Sequence, residues 1–465
     1  MKNFLNSKLR VSLTLILLDG VTFVGIFYLF TFIRHGGNFP FGNNLHLLSV
    51  PFAFTFLSYY VINSYSLKTD LISLNYTLEH LLASLVAAFL TILTIYSFTL
   101  VPAQQFSRAV MPLSFLAFSY LSLSYRRLIY KKASNHFGQR YFLILGAGNL
   151  AKSLFLDCKN SNIKHDFRVI DLKCESIGKP LCGSEEDGPI IENDLIKLLG
   201  LFGNKIDAII LAEDRRGLQK GVLEKLIYCH LQDTPVYSIE EFYENYFHKI
   251  PYEVIQPHIL LRGGFQLARD PDFERFKRLT DIIVSLIVLT ICVPFLIITP
   301  IFIRLDSKGP VIFKQERVGK NNRSITVLKF RTMEYGDSKK IADMYTQKDD
   351  PRITRVGKWL RLSRIDELPQ LINVLKGEMS LIGPRAEWIN LTQIYEKKIA
   401  YYDIRHLVKP GITGWAQVNY PYGQSVQDTI AKFEYDLYYV RNYSLKMDAT
   451  IILKTIYTVL FRKGQ

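Results

Sequence analysis

A chain of 465 residues, nearly half of them hydrophobic and with a formal net charge of +15, is too long for one ordinary domain and long enough for two or three. The basic balance suits a negatively charged membrane face or phosphorylated substrates. No nucleic-acid-reading motif accompanies the charge, so nucleic acid is not expected as a partner. The cysteines, Cys158, Cys174, Cys182, Cys229 and Cys292, are odd in number and lack CxxC spacing, the pattern of isolated reduced thiols rather than of a disulfide framework.

Apolar stretches run at 11–33, 47–62, 81–101 and 109–123. The first and third approach the ~20 residues that cross a ~30 Å hydrocarbon core; the other two are short. The first lacks a small-residue cleavage site and is followed by more such runs, so it is expected to stay in the membrane. Lys2, Lys8 and Arg10 precede these stretches, Lys68 lies in their second loop, and Arg126, Arg127, Lys131 and Lys132 follow them. The other two loops offer Arg34 and Arg108. The charge rule then places both ends, and everything after Tyr130, in the cytoplasm. Asp19 inside the first stretch is a functional candidate by default, although a helix-packing acid beside Gly20 is the favoured reading. A four-helix transmembrane domain over 1–130 is expected, and such a bundle could support a homodimer.

Residues 141–145 read as a buried strand, followed by Gly146-Ala147-Gly148-Asn149-Leu150-Ala151 and a helical pattern to Cys158. Strand, G-x-G-x-x-A and helix is the dinucleotide-binding order. Asp171 lies about 25 residues beyond Gly146, where a ribose-binding acid could stand. A second buried run, 208–212, fits an open α/β domain over 139–245. The fold signal is the stronger one. Gly146, Gly148 and Asp171 are weak nucleotide-site candidates, because no second part of an oxidoreductase site accompanies them. Residues 246–274 read as a connector.

The run 282–303 is long enough to span, but Pro294 sits in its middle. Basic residues also crowd both flanks: Arg275, Lys277 and Arg278 before it, and Arg304, Lys308, Lys314, Arg317, Lys320 and Arg323 after it. Spanning would put the second group outside, against the charge rule. A break at Pro294 instead gives a re-entrant hairpin over 279–304 with two arms of ~16 Å. Such a break at depth needs protein partners for its freed backbone.

Phosphate-type cations follow. They run through Lys329-Phe330-Arg331-Thr332, then 350–358, then Arg361-Leu362-Ser363-Arg364-Ile365-Asp366-Glu367-Leu368-Pro369-Gln370-Leu371, and then Gly383-Pro384-Arg385. Arginine forks match phosphate oxygens, a carboxylate can attack phosphorus, and a neighbouring carboxylate can hold Mg²⁺. Arg361 and Arg364 are expected to favour the ionised acids. An isolated Asp-Glu pair is more often an ordinary helix start.

The surrounding residues outweigh that bland reading. Residues 277–461, about 40% of the chain, resemble the polyisoprenyl-phosphate hexose-1-phosphate transferases, the initiating enzymes of bacterial exopolysaccharide, capsule and O-antigen assembly. The resemblance rests on elements in order. They are the helix with Pro294, Gly309-Pro310-Val311-Ile312-Phe313, Gln315-Glu316-Arg317-Val318-Gly319, Lys329-Phe330-Arg331-Thr332-Met333, and Arg364-Ile365-Asp366-Glu367-Leu368-Pro369-Gln370. Met379 to Arg385, Lys409 to Val418, and Tyr435-Asp436-Leu437-Tyr438-Tyr439 complete it. The front half looks like the long form of this family. Tyr420-Pro421-Tyr422-Gly423 and 212–217 look similar to the branch associated with exosortase-type clusters. The family often reads Gly-Pro-Arg-Pro where this chain has Ala386 last.

The resemblance implies a membrane protein of three parts: a helical bundle, a Rossmann-like α/β cytoplasmic domain, and a mainly α catalytic domain over 275–465 with a re-entrant helix. It implies that Asp366 attacks the β-phosphate of a UDP-sugar and releases UMP. Undecaprenyl phosphate then takes the sugar phosphate, with Glu367, and Asp366 beside it, holding Mg²⁺. Lys329, Arg361 and Arg385 match positions around the phosphates, and Arg364 is a plausible addition. Residence in the inner membrane among its lipids, with the catalytic domain on the cytoplasmic face, follows. The C-terminal segment 448–461 is amphipathic and could lie in the interface or pack as a core helix. Two rivals are weaker. A membrane-anchored dehydratase or epimerase needs a Tyr-x-x-x-Lys pair; Tyr335 and Lys339 have the spacing but follow no second glycine-rich unit. A non-enzymatic scaffold would have no use for the intact acid pair.

Overall fold

The computed structural model of the chain describes residues 2–35, 48–62, 64–65, 71–72, 74–97, 110–136, 141–161, 166–171, 176–182, 188–202, 206–212, 218, 220–232, 234–255, 257, 260, 265, 271–334, 350–420, 423 and 425–460. They fall into two compact units, 1–139 and 140–465.

The first unit holds helices α1 (Lys2–His35), α2 (Ser49–Val61), α3 (Leu74–Ser97) and α4 (Val110–His136). Helix α2 packs on α3, while α1 and α3 both pack on α4. Phe23 meets Phe115 and Phe118 edge-on inside the bundle, and Ala83 and Ala87 let neighbours come close. Leu13, Leu17, Val21, Leu85 and Phe89 point outward and are more than half exposed. Apolar side chains inside and outside are what a lipid-embedded helix requires. Val11–Arg34 and Tyr76–Thr94 are long and apolar enough to cross a membrane; Ser49–Val61 is apolar but shorter. The fourth apolar stretch opens α4, which continues into the basic residues from Arg126.

Asp19 is buried, and Arg126 of α4 forks onto it through two hydrogen bonds of 2.7 and 2.5 Å. Tyr65 donates to the same carboxylate at 2.7 Å, and Tyr125 and Ser122 also donate to it. An unpaired charge here would be prohibitive; a paired one fixes how α1 meets α4. Such pairing is what the helix-packing reading of Asp19 expects.

The second unit begins with a five-stranded, wholly parallel sheet of order β3-β2-β1-β4-β5. Its strands are β1 (Tyr141–Leu145), β2 (Asp166–Ile170), β3 (Ile191–Glu192), β4 (Ile206–Leu211) and β5 (Val236–Ser238). Side chains alternate across a strand. Phe142 and Ile144 face a core with α5 (Asn149–Asn160), and Leu143 and Leu145 face another with α6 (Leu195–Phe202) and α7 (Lys220–Leu231). Helices on both faces explain why β1 reads as an unbroken apolar run. A short helix, α8 (Ile239–Phe242), leads into a seam. There Lys249 bridges Asp157 of α5 at 2.9 Å and Glu434 at 3.0 Å, and Trp415 donates to the His248 carbonyl at 2.8 Å.

Helix α9 (Pro271–Asp306) runs through Pro294 and Pro300 as one element. The expected break into two separate arms is thus not a loss of helix. A proline removes one backbone bond, and the turns on either side can persist. Its buried residues lie near its two ends: Lys277, Asp281 and Ser285, then Thr299 and Ile303. The apolar middle, including Ile291 and Ile297, is largely exposed. Both ends are fixed to the same globular part. Lys277 pairs with Asp448 at 2.5 Å. Arg278 donates to the Val374 and Leu375 carbonyls. Asp281 accepts from Ser380 and from the Leu381 amide, both at 3.1 Å. At the far end Ile303 packs with Phe330 and Leu360, and Asp306 accepts the Val356 amide at 2.9 Å.

That globular part contains an antiparallel hairpin, β6 (Ile312–Val318) with β7 (Ser324–Phe330). It also holds a parallel pair, β8 (Ser380–Ile382) with β9 (Gly411–Thr413). Around them lie α10 (Arg355–Ser363), α11 (Gln370–Lys376), α12 (Ile389–Lys398), α13 (Trp415–Asn419), α14 (Val426–Arg441) and α15 (Leu445–Leu460).

Candidate active site

The acid pair sits at the join of α10 and α11. Thr354 caps α10 by accepting the Gly357 amide at 3.0 Å. A Cβ on Gly357 would stand 2.0 Å from the Thr332 carbonyl oxygen, so only glycine lets α10 lie this close to the end of β7. Arg364 then adopts a left-handed conformation, φ 59°, which stops the helix and reverses the chain. The tight turn Ile365–Glu367 follows. Both acids end up buried, Asp366 at 8% and Glu367 at 9% exposure.

The predicted cations separate into distinct duties. Lys329, on β7, donates to Glu367 at 2.8 Å. Arg385 reaches the same Oε1 at 3.7 Å. Arg361 donates to the Thr332 hydroxyl at 2.9 Å, and its charge and that of Arg364 act on Asp366. Burial opposes ionisation of Glu367, but Lys329 first and Arg385 second outweigh it and pull the carboxyl down to about 2. Asp366 behaves oppositely. Burial, then the Glu367 charge, raises it to about 6 against Lys329, Arg361 and Arg364. Arg361 and Arg364 favour the ionised form of Asp366, as expected, but desolvation and the Glu367 charge exceed their pull, so its carboxyl titrates well above an exposed aspartate. The Asp366 Oδ1 is buried and has no hydrogen-bond partner.

A second ring of residues holds this arrangement and escaped sequence reading. Asn373 is fully buried. It accepts the Leu328 amide at 3.1 Å and donates to the Thr326 carbonyl at 2.7 Å, fastening α11 to β7 beside Lys329. Arg405 pairs with Asp436 at 2.8 Å, donates to the Tyr402 hydroxyl at 2.7 Å, and donates to the Arg385 carbonyl at 3.0 Å. Arg317 donates to the Ala386 carbonyl at 2.5 Å. These bonds stiffen the loop that carries Arg385, where the family more often has a proline. A Cβ on Gly383 would lie 2.3 Å from the Lys409 carbonyl oxygen, so that loop also needs a glycine to reach β9. The signal in sequence was only the density of motif residues around Lys409–Val418 and Tyr435–Tyr439.

The middle-domain candidates lie elsewhere. Gly146 takes φ 116° after β1, and Gly148 precedes α5 in an extended conformation. Asp171 follows β2, is buried, and accepts the Ser176 amide at 2.9 Å. Tyr335, Lys339, residues 213–217 and residues 421–422 lie outside the described residues. Among the described residues no group of three or more His, Cys, Asp and Glu side chains gathers as a metal cage. Mg²⁺ needs none, since it takes one or two carboxylates together with substrate phosphates.

Comparison with known proteins places this geometry. Residues 273–462 match the bacterial sugar transferase family. The chain is 42% identical over 232 residues to a UDP-N-acetylgalactosamine-undecaprenyl-phosphate N-acetylgalactosaminephosphotransferase of Aeromonas hydrophila, covering 50% of this chain and 54% of that protein. It is 34% identical over 333 residues to an undecaprenyl-phosphate glucose phosphotransferase of Komagataeibacter xylinus, covering 70% of this chain and 60% of that one. The chain thus spans little more than half the length of these two relatives. Against an exopolysaccharide production protein of Rhizobium leguminosarum bv. phaseoli it is 44% identical over 191 residues, which is 40% of this chain and 96% of the relative. With nearly the whole of that relative matched, and the acid pair and its cations inside the matched block, the chain belongs to the bacterial sugar transferase family.

Proposed function

We propose that this protein transfers a hexose-1-phosphate from a UDP-sugar to undecaprenyl phosphate, as an early membrane step of exopolysaccharide assembly. Asp366 attacks the β-phosphorus. The bond from that phosphorus to the bridging oxygen breaks, and UMP leaves with the electron pair. A phosphate oxygen of undecaprenyl phosphate then attacks the aspartyl-phosphosugar, giving undecaprenyl-diphosphate-sugar and regenerating the carboxylate. The observation that carries this reading is the asymmetry of the acids. Glu367 is clamped and ionised, whereas Asp366 is buried, has a carboxylate oxygen without a partner, and is raised to about 6. A carboxylate so desolvated is a better nucleophile than one solvated or salt-bridged.

Glu367, with the Asp366 carboxylate beside it, offers hard oxygen donors that suit Mg²⁺. Bound there with the diphosphate, the ion would neutralise charge on the leaving group. Lys329 and Arg385 keep Glu367 ionised for that task, and Arg361 and Arg364 contribute positive charge beside Asp366.

The helix α9 supports a re-entrant reading. Both its ends are fastened to one globular part while its apolar middle stays exposed. Proline inside the helix gives it a place to bend. On this reading the hairpin enters the cytoplasmic leaflet of the inner membrane and brings the site to the lipid acceptor. The parallel order 3-2-1-4-5 with Gly146 at the end of β1 supports a Rossmann-like middle domain.

The test is UMP release by the full chain in detergent with undecaprenyl phosphate, across a panel of UDP-sugars, with and without a Mg²⁺ chelator. Release dependent on lipid acceptor and metal is expected. Turnover by Asp366→Asn at the wild-type rate would remove the proposed nucleophile.

A further inference from the structure

Asp366 and Gln370 lie four residues apart at the join of α10 and α11. Between them the chain makes the 3-10 turn Ile365–Glu367 and two further turn residues, Leu368 and Pro369, before α11 opens at Gln370, so both side chains spring from one short turn. Gln370 is 4% exposed, yet its Nε2 has no hydrogen-bond partner. The Asp366 Oδ1 has none either. Folded interiors leave few polar atoms unsatisfied, and each one asks for a missing partner. Here a donor and an acceptor of one short turn stand idle without bonding each other, so a third group that bonds to both would satisfy them.

That group must bond to the carboxylate oxygen and accept a hydrogen bond from a neutral amide. A phosphoryl group carried on Asp366 does both: its phosphorus takes the oxygen and its non-bridging oxygens accept. We infer that Gln370 is a further substrate-contacting residue, whose side-chain amide donates to a non-bridging oxygen of the phosphosugar during its transfer to and from Asp366. This rests on the two-step reaction proposed above. Gln370 gains and loses no proton; the bonds that form and break at phosphorus are those already described. The cations named above supply charge around the phosphate, and Gln370 adds a neutral donor to one oxygen. The Lys329 amine is bonded to Glu367, and Arg361 is bonded to Thr332. A neutral donor also serves without raising the charge of the site, so it leaves Asp366 free to be the attacking group. Its contact strengthens as negative charge gathers on the equatorial oxygens, which favours the transition state over the bound donor.

Gln370→Met tests the assignment, because it keeps the length and removes the donor. Gln370→Glu keeps the shape and replaces the donor with an acceptor. Both are compared with Asp366→Asn in the full chain, following UMP release and the melting midpoint. Both glutamine variants are expected to slow UMP release about 100-fold with little change in KM for the donor, while Gln370→Met melts no lower than wild type because it removes an unsatisfied amide. Two results overturn the inference: release by Gln370→Met within threefold of wild type, or a loss that only follows a lowered melting midpoint. If Asp366→Asn itself stays active, the failure belongs to the two-step reading; if Asp366→Asn is inactive and Gln370→Met is normal, it belongs to Gln370 alone.

Discussion

Replacing Asp366 by asparagine should stop the chemistry and stabilise the protein. The carboxyl moves from an ordinary value of 3.8 to about 6 in the fold, chiefly through burial and secondarily through Glu367. A folded-state value above the unfolded one means that the ionised acid opposes folding. That cost is complete above pH 6 and disappears below 3.8, where both states are protonated. Two units correspond to about 3 kcal/mol at pH 7.5, and the same linkage leaves about 1 kcal/mol at pH 4.5. Asparagine keeps the shape and abolishes the charge, so it should recover that amount. For a block of this size each kcal/mol shifts the melting midpoint by about 2–4 °C, giving a rise of roughly 6–12 °C at pH 7.5. The assay is a melting curve of wild type and Asp366→Asn in one detergent at matched scan rate, at both pH values. An unchanged or lowered midpoint at pH 7.5, or a gain independent of pH, would refute the reasoning that burial dominates this acid.

Because Glu367 is held near 2 and stays ionised, the acid limb of UMP release should belong to Asp366. Release should rise about tenfold between pH 5 and 7 with a midpoint near 6; a midpoint near 4 would mean that Arg361 and Arg364 prevail. Arg405→Lys loses the fork to Asp436 and the bond to the Arg385 carbonyl, so KM for the UDP-sugar should rise about tenfold; Arg405→Met should also unfold more easily, by about 3–5 kcal/mol, since Asp436 is left buried without its partner. Cysteines introduced as Arg275→Cys and Lys308→Cys should both react with an impermeant thiol reagent from the cytoplasmic side only. Periplasmic reaction at position 308 would make α9 a spanning helix.

Where sequence was enough, the controlling physics was local. The run 141–145 followed by Gly146 and Gly148 announced a strand buried on both faces and a tight turn into a helix, and β1 is the central strand of its sheet. The acid pair with Arg361 and Arg364 was visible because they lie within one short stretch, whereas Lys329 and Arg385 were picked out by the family resemblance. Distance along the chain hid the rest. Arg405 reaches Asp436 across 31 positions and Arg317 reaches Ala386 across 69; nothing in spacing reveals such pairs before the tertiary fold brings them together. Asp171 had the spacing of a ribose acid, and spacing does not show that it also accepts the Ser176 amide. Pro294 was read as a break because a proline costs one hydrogen bond, yet the remaining bonds of α9 carry the helix through. The net upward shift of Asp366 was not legible for a similar reason: arginines can be counted in a sequence, and burial cannot.

The central claim is that Asp366 carries the sugar phosphate. Its most direct measurement uses the full chain in detergent with a UDP-sugar radiolabelled in the β-phosphate and no lipid acceptor. The account predicts a burst of UMP of about one per chain, label on the peptide containing Asp366, release of that label on adding undecaprenyl phosphate, and no label on Asp366→Asn. Steady transfer to undecaprenyl phosphate without any burst or protein-bound label, or equal labelling of Asp366→Asn, would contradict it.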